Sequence, residues 1–460
     1  VTDFTINWTD EHQTIEGFGA ASAFCQNFSP AVADFLWTPS GIGLTIARDK
    51  ISENGFPLVL PFDGTDEVDS NFSTLAQIYA RGPGILWGNI WFFHASWQGG
   101  SVRGTLDPAH YSDACGIMTT YLDRAVAAGV YMRGVSFCNE PDISGFNDQT
   151  AWTTAQAVAF TNVLGPALTS WGAANPTWQS VTGLTKPLLI MPGVAEWSNL
   201  STWTAAVEAD SSARANVDRY ASHQYFGGGA SAPGSISHSV WETEVYDQTN
   251  GSYTPLLTSG LVLAQNVHDA LTTGAATAWI AWYAQLTATN DNQGLIGFND
   301  SANYTSGGQS TAAADWLNLS LNLTKRAYAL GNWAKFVRPN SVRLGATGSK
   351  SGIYGVTAFR NAAKSSLSII IVNTSGSPLS VTFAISGISP NTITPYVTTD
   401  TTLSTIGTDG NLSAGSATYS VPTSIPVSAG AFTATIAPGI TTLTASLNEP
   451  GIFFGAGTTS

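Results

Sequence analysis

Two glutamates offer the clearest chemistry in this sequence. Glu140 follows the run Gly134-Val135-Ser136-Phe137-Cys138-Asn139 and precedes Pro141-Asp142. The run is strand-length and too short for a helix. Pro141 cannot continue a ladder and disfavours helix at the residue before it, so the strand is expected to end at the carboxylate. The plainer alternative is an Asn-x-Pro-Asp turn with a solvated glutamate. Glu244 ends a second run, Ser239-Val240-Trp241-Glu242-Thr243. Two carboxylates astride a glycosidic bond are the machinery of sugar hydrolysis: one stays protonated to serve the leaving oxygen, the other stays ionised to attack. Glu242 competes for the second role. Strict alternation would put Glu242 and Glu244 on one face, with Glu244 nearer the C-terminal rim.

Other strand ends carry supporting groups. Arg48 closes Gly43-Leu44-Thr45-Ile46-Ala47 and could hold an attacking carboxylate ionised, or form a structural ion pair with a rim acid. Asn139 could donate to a sugar hydroxyl or close a local turn. Trp91, Trp282 and Tyr283 could floor a sugar subsite or simply cap the fold. His223 and Tyr225 could bond Glu244 or substrate, although a lone histidine is more often structural.

These groups need a frame that gathers strand ends. Eight strand-sized apolar runs, most of them separated by helical patterns, are centred on residues 14–21, 43–48, 85–91, 134–140, 187–192, 220–225, 239–244 and 278–283. Helical spacing falls at 70–81, 108–128, 150–173, 257–273 and 311–335. This alternation predicts an α/β fold, a (β/α)8 barrel whose active residues sit at the strand C-termini. At roughly 31 residues per β/α unit, the fourth and seventh strand ends should lie about 94 residues apart; Glu140 and Glu244 are 104 apart. From Ser341 the texture becomes short strands with Gly/Ser/Pro turns, predicting a β-sandwich. The strand at Phe4–Trp8 needs a partner and is expected to join it. The division is residues 13–338 for the barrel and 1–12 plus 339–460 for the sandwich.

The bulk numbers narrow the partners. Net charge is −14 and no basic cluster is present, which disfavours nucleic acid and anionic membrane. Charged residues make up only 10%, against roughly 25% in average soluble domains, so Ser, Thr, Asn and Gly must cover the surface, as suits a secreted protein. The Asn-x-Ser/Thr triplets at Asn7, Asn27, Asn199, Asn318, Asn322 and Asn411 fit secretion. Three cysteines leave at least one thiol unpaired, and Cys138 reads as a small buried hydrophobe. No Cys/His spacing suits zinc, so neither metal nor other cofactor is expected. Gly17-x-Gly19-x-x-Ser22 lacks the third glycine of a dinucleotide loop, and Asn448-Glu449-Pro450 follows no buried strand.

Together Glu16-Gly17-Phe18-Gly19, Val135 to Asp142, Trp241-x-Thr243-Glu244 and Lys325-Arg326-x-Tyr328-Ala329-x-Gly331-x-Trp333-x-Lys335-Phe336-Val337-Arg338-Pro339 resemble glycoside hydrolase family 30 over nearly the whole length. The resemblance implies a barrel with a fused side sandwich, retention of configuration, Glu140 as acid/base and Glu244 as nucleophile. The segment from His223-x-Tyr225 to Glu244, lacking a full sixth helix, looks most like the xylanase branches. Two features depart from the glucuronoxylan-specific branch: Ala284 follows Trp282-Tyr283 where that branch has an arginine, and the third strand runs Trp91-Phe92-Phe93-His94. The expectation is a secreted, monomeric, metal-free β-1,4-xylanase acting on a polysaccharide. A β-1,6-galactanase or β-1,6-glucanase is the alternative within this chemistry, and a non-catalytic carbohydrate-binding protein the alternative outside it.

Overall fold

The structure, a computed structural model, describes residues 1–23, 25, 28–59, 68–69, 71–143, 149–226, 228–248, 256–287, 292–298, 321–400, 405–406 and 419–447. Eight parallel strands close into a barrel in sequential order: Gly17–Ala21, Ile46–Ile51, Ile85–Ile90, Gly134–Ser136, Leu188–Val194, Arg219–His223, Val240–Val245 and Ala278–Ala281. All eight runs read from the sequence supply a strand.

The second barrel strand shows how burial on both faces is shared out. Ile46 points into the barrel interior, with Trp87, Ile190, Trp241 and Ile280, while Ala47 and Ile51 belong to the cluster under the helices. With a side-chain period of two, Arg48 and Lys50 follow Ile46 inward. Asp49 faces out, accepting hydrogen bonds from Tyr121 Oη (2.8 Å) and Ser22 Oγ (3.3 Å). A strand with no exposed residue thus carries three charged side chains.

Gly19 has a packing role. A Cβ there would lie 2.3 Å from the Ile46 carbonyl oxygen, so only glycine lets the first two barrel strands approach. Glu16, just before it, closes the opposite end of the barrel from the strand C-termini. Its carboxylate pairs with Arg219 (2.8 Å) and accepts from Thr277 Oγ1 (2.7 Å), Trp241 Nε1 (2.9 Å) and Ser239 Oγ (3.0 Å). One acid therefore ties together the starts of the first, sixth, seventh and eighth strands.

The helices at Ser73–Tyr79, Tyr111–Ala127, Thr154–Ala174 and Leu257–Thr272 fall where spacing predicts them. Of the expected 311–335 helix only Lys325–Ala334 is helical: Leu321–Leu323 is a strand of the small sheet instead, Thr324 caps the helix, and 311–320 lie outside the described residues, as do Asn27, Asn318, Asn411 and Asn448-Glu449-Pro450. Helices at Pro30–Trp37, Pro176–Thr182, Trp197–Ala209 and Ser211–Asn216, and a four-stranded sheet beginning at Tyr283–Thr287, were not anticipated from the sequence. No helix lies among the described residues between the sixth and seventh barrel strands.

The second unit is a nine-stranded mixed sheet. The N-terminal strand, Phe4–Thr14, is built into it, antiparallel to Val342–Gly348 and parallel to Leu379–Ser386. The ends of the sheet share one core, Phe4, Ile6, Phe383 and Phe432 meeting Ile369, Ile371 and Leu443, as the layers of a sandwich do. The strand Ser366–Asn373 is apolar on both faces for a reason: Ile369 and Ile371 fill that core, while Ile370 and Val372 pack into the barrel's outer core. Helix Lys325–Ala334, buried at every residue, joins the two units. Trp333 Nε1 donates to Thr357 Oγ1 (3.1 Å) and Asn332 Nδ2 to Thr398 Oγ1 (2.9 Å), so the family-like motif here serves a structural joint.

Glu16→Gln is expected to cost about 1–2 kcal/mol of stability, because half-buried Arg219 loses its charged partner while an oxygen acceptor remains for the other bonds. The check is a lowered midpoint in urea unfolding with an unchanged native circular-dichroism spectrum.

Candidate active site

At the C-terminal mouth of the barrel, Glu140 and Glu244 each bring a carboxylate oxygen into one group with a His223 ring nitrogen, all within 4.8 Å of one another. Both carboxylates are buried, at 6% and 5% exposure, which removes the solvated-turn reading of Glu140. The separation suits a carboxylate pair working without a water between them, for which about 5–5.5 Å between carboxyl groups is usual.

Glu140 does not end its strand as expected. The ladder stops at Ser136, and the chain runs three further residues before reaching it. The Cys138 carbonyl is held by Asn89 Nδ2 (2.9 Å) and Ser136 Oγ (3.2 Å) instead of by a ladder partner. Glu140 itself adopts a left-handed backbone, φ 46°. That costs a non-glycine residue energy and persists only where surroundings over-determine it. They do so here: its N–H donates to the Gly193 carbonyl (2.7 Å) and its carbonyl accepts from Gln149 Nε2 (3.0 Å). Asp142 clamps the turn to the next loop, accepting from the Ala195 N–H (2.8 Å) and Asn199 Nδ2 (2.9 Å).

Glu244 is delivered by an irregularity. Along the sixth strand, Glu242 lies opposite Ser222 and Glu244 opposite His223. Along the eighth, Glu242 lies opposite Trp279 and Val245 opposite Ala281. Both ladders show one extra residue in the seventh strand, a β-bulge. Trp241 points into the barrel and Glu242 outward, to the Trp197 indole nitrogen. The bulge then turns Glu244 inward. Glu242 and Glu244 therefore occupy opposite faces, contrary to the alternation expected from sequence, because the extra residue breaks the period of two.

Arg48 links both sides. Its guanidinium pairs with Glu244 Oε2, donates to the Thr243 carbonyl (3.3 Å) and to Asn139 Oδ1 (2.6 Å), and lies over the Trp87 and Trp282 rings. Tyr225 Oη donates to Glu244 Oε1 (2.7 Å). His223 contacts Glu140 through Nδ1 (2.9 Å), and its Nε2 faces Glu244 at 3.9 Å. Asn139 thus spends its oxygen on Arg48, and its NH2 is the end left to donate. Trp91 stacks on Trp282 with centroids 5.5 Å apart, Tyr283 lies against Trp282, and the Lys50 ammonium sits 4.1 Å from the Trp91 ring centre. All nine residues singled out from sequence meet at this mouth. Lys50 and Gln149 were missed: alternation from Arg48 pointed to Lys50, but Gln149 carries no sequence signal.

Burial pushes the Glu140 carboxyl up to about 7, with Asp142 adding to the rise and Arg48 opposing it. Burial pushes His223 down to about 4. Near pH 5–6 their contact is therefore a hydrogen bond between two neutral groups rather than an ion pair. Glu140, His223 and Glu244 are the one cluster of metal-ligating type among the described residues, and Arg48 already occupies Glu244 there.

The geometry places this chain among known proteins. No family model matches it. It is 22% identical over 421 residues to the glucuronoxylanase XynC of Bacillus subtilis (strain 168), covering 86% of this chain and 84% of that one. Its structure is similar to xylanase C of Talaromyces cellulolyticus (TM-score 0.73, 21% identity, 97% of this chain and 100% of that). It is also similar to a family 30 endoxylanase of Clostridium papyrosolvens C71 (TM-score 0.68, 22% identity, 97% and 100%) and to an endo-β1,6-glucanase (TM-score 0.66, 16% identity, 97% and 94%).

A raised carboxyl sets the sign of a pH effect. Its ordinary value is near 4.5 and its folded value about 7, so its contribution to stability is complete below pH 4.5 and lost as pH rises through 7. Glu140→Gln should abolish that loss and gain on the parent by up to about 3 kcal/mol at pH 8, read by urea unfolding across pH 4–8. The fold, with its closed barrel and sandwich built partly from the N-terminal strand, is that of the family 30 glycoside hydrolases, and the resemblance read from the sequence holds over nearly the whole chain.

Proposed function

We propose that this protein is a secreted, monomeric, retaining β-glycoside hydrolase of plant cell-wall polysaccharide, with xylan as its substrate. The observation that carries the reading is the convergence of Glu140 and Glu244 with their environments pushed apart. Glu140, raised to about 7 by burial, still holds its proton at mildly acidic pH and protonates the leaving glycosidic oxygen. Glu244, fixed by Arg48 and Tyr225, attacks the anomeric carbon as the bond to that oxygen breaks. Glu140, now ionised, takes a proton from water, whose oxygen displaces Glu244 and restores both groups.

Neutral His223 beside Glu140 leaves that proton on the carboxyl. The Asn139 NH2, fixed by Arg48 on its other side, donates to a sugar hydroxyl near the reacting carbon. Trp91, Trp282 and Tyr283 wall the subsite, and the Trp91–Trp282 stack with Lys50 over it makes them a rigid wall more than an open floor. The xylanase and glucuronoxylanase relatives support xylan, and the charge-poor, acidic composition supports secretion. No helix of the described residues is long and apolar enough to cross a membrane. The convergence of both carboxylates argues against a purely carbohydrate-binding role. Trp91-Phe92-Phe93-His94 and Ala284 depart from the glucuronoxylan-specific pattern, and the similarity to an endo-β1,6-glucanase supports one second reading, a β-1,6-linked galactan or glucan on the same machinery.

Glu140→Gln and Glu244→Gln should each lower polysaccharide hydrolysis by about 10²–10⁴-fold with folding intact. Azide should rescue Glu244→Ala by forming a glycosyl azide of inverted configuration. Product profiles on glucuronoxylan, arabinoxylan, linear xylan, β-1,6-galactan and β-1,6-glucan test the substrate: xylo-oligosaccharides support the reading, and release only from a β-1,6-glycan replaces it. Wild-type activity in Glu244→Gln, or no activity on any glycan, would defeat the mechanism.

A further inference from the structure

The seventh strand carries a second carboxyl that the chemistry does not use. Glu242 has no exposed surface and faces out of the barrel, away from the mouth. Its Oε2 accepts from the Trp197 indole N–H, while Oε1 has no hydrogen-bond partner among the described residues. Trp197 is the first residue of helix Trp197–Ala209, which packs against the fifth and sixth barrel strands. An interior carboxyl is expensive to keep where an aliphatic side chain would pack well. Its position accounts for the cost.

We propose that Glu242 is the positioning residue for Glu244: anchored to Trp197, it pins the outer wall of the strand at the bulge, so that the extra residue stays between Glu242 and Glu244 and the nucleophile points into the mouth. This rests on the reading of Glu244 as nucleophile. Two observations converge on it. The extra residue begins at Glu242 in both flanking ladders, so the anchored side chain is the last regular position before the bulge. The same bulge directs the Thr243 carbonyl at Arg48 Nη1, 3.3 Å away, so moving it would disturb two of the groups around the arginine at once. A strand that loses its pinning point can return to regular pairing, and a one-residue slip sends its side chains to the other face.

The test uses the full chain and whichever glycan of the panel the parent cleaves fastest, comparing Glu242→Leu, Glu242→Gln and Trp197→Phe. Glu242→Leu should lower kcat by about 10–100-fold, the cost of displacing a reacting group by an ångström or so, with KM within threefold. Glu242→Gln keeps an acceptor for the indole and should recover most of the lost kcat. Trp197→Phe removes the N–H but keeps an aromatic ring, and should lower kcat severalfold with little change in KM; it also serves if Glu242→Leu does not fold. Parental kcat in Glu242→Leu or in Trp197→Phe, or equal losses in the Leu and Gln variants, would overturn the proposal. Failure of azide to rescue Glu244→Ala would instead remove the nucleophile assignment on which it rests.

Discussion

A guanidinium enclosed in the barrel is the constraint on which the mouth depends. Arg48 is 2% exposed. A charge taken so far out of water is tolerable only if it is paired and its N–H groups are satisfied. Its partners come from elsewhere in the chain: the Glu244 carboxylate and Thr243 carbonyl from the seventh strand, the Asn139 amide from the loop after the fourth, and two tryptophan faces. Satisfying Arg48 is therefore the same act as assembling the site. It also sets the division of labour, because the guanidinium lies directly on Glu244 whereas Glu140 has a buried histidine for its neighbour.

Backbone irregularity does the aiming. Regular strands place side chains on a two-residue period, and neither glutamate sits at a regular position. Glu140 lies past the end of a three-residue strand in a left-handed conformation held by Gly193 and Gln149. Glu244 lies past a bulge. Ideal strands would deliver both carboxylates to the mouth region without making them converge. The opposite end of the barrel is built from regular elements, with Glu16 tying four strand starts, and is organised for cohesion.

Much of this was legible in the sequence because it depends on local rules. Eight apolar runs, the spacing between Glu140 and Glu244, and the change of texture at Ser341 follow from burial and periodicity, which are written residue by residue. Helix Trp197–Ala209 was missed although Trp197, Leu200, Trp203 and Val207 recur at helical spacing and form its buried face, because Ser, Asn and Thr between them give the segment the look of a loop. The four-stranded sheet beginning at Tyr283 could not be anticipated either, because it pairs residues far apart in sequence.

The sequence by itself determined the chemical inventory and the scaffold: two acids at strand ends, an arginine and aromatics beside them, and a barrel-and-sandwich frame to carry them. Only the tertiary structure decided which acid of Trp241-Glu242-Thr243-Glu244 faces the mouth. Alternation made Glu242 and Glu244 equivalent in facing, and a single extra residue in the ladders made them opposite. Register is a property of neighbouring strands, and those neighbours lie some twenty to forty residues away. The protonation of Glu140 was likewise out of reach, because it depends on how completely water is excluded around one carboxyl, and that is set by everything packed against it.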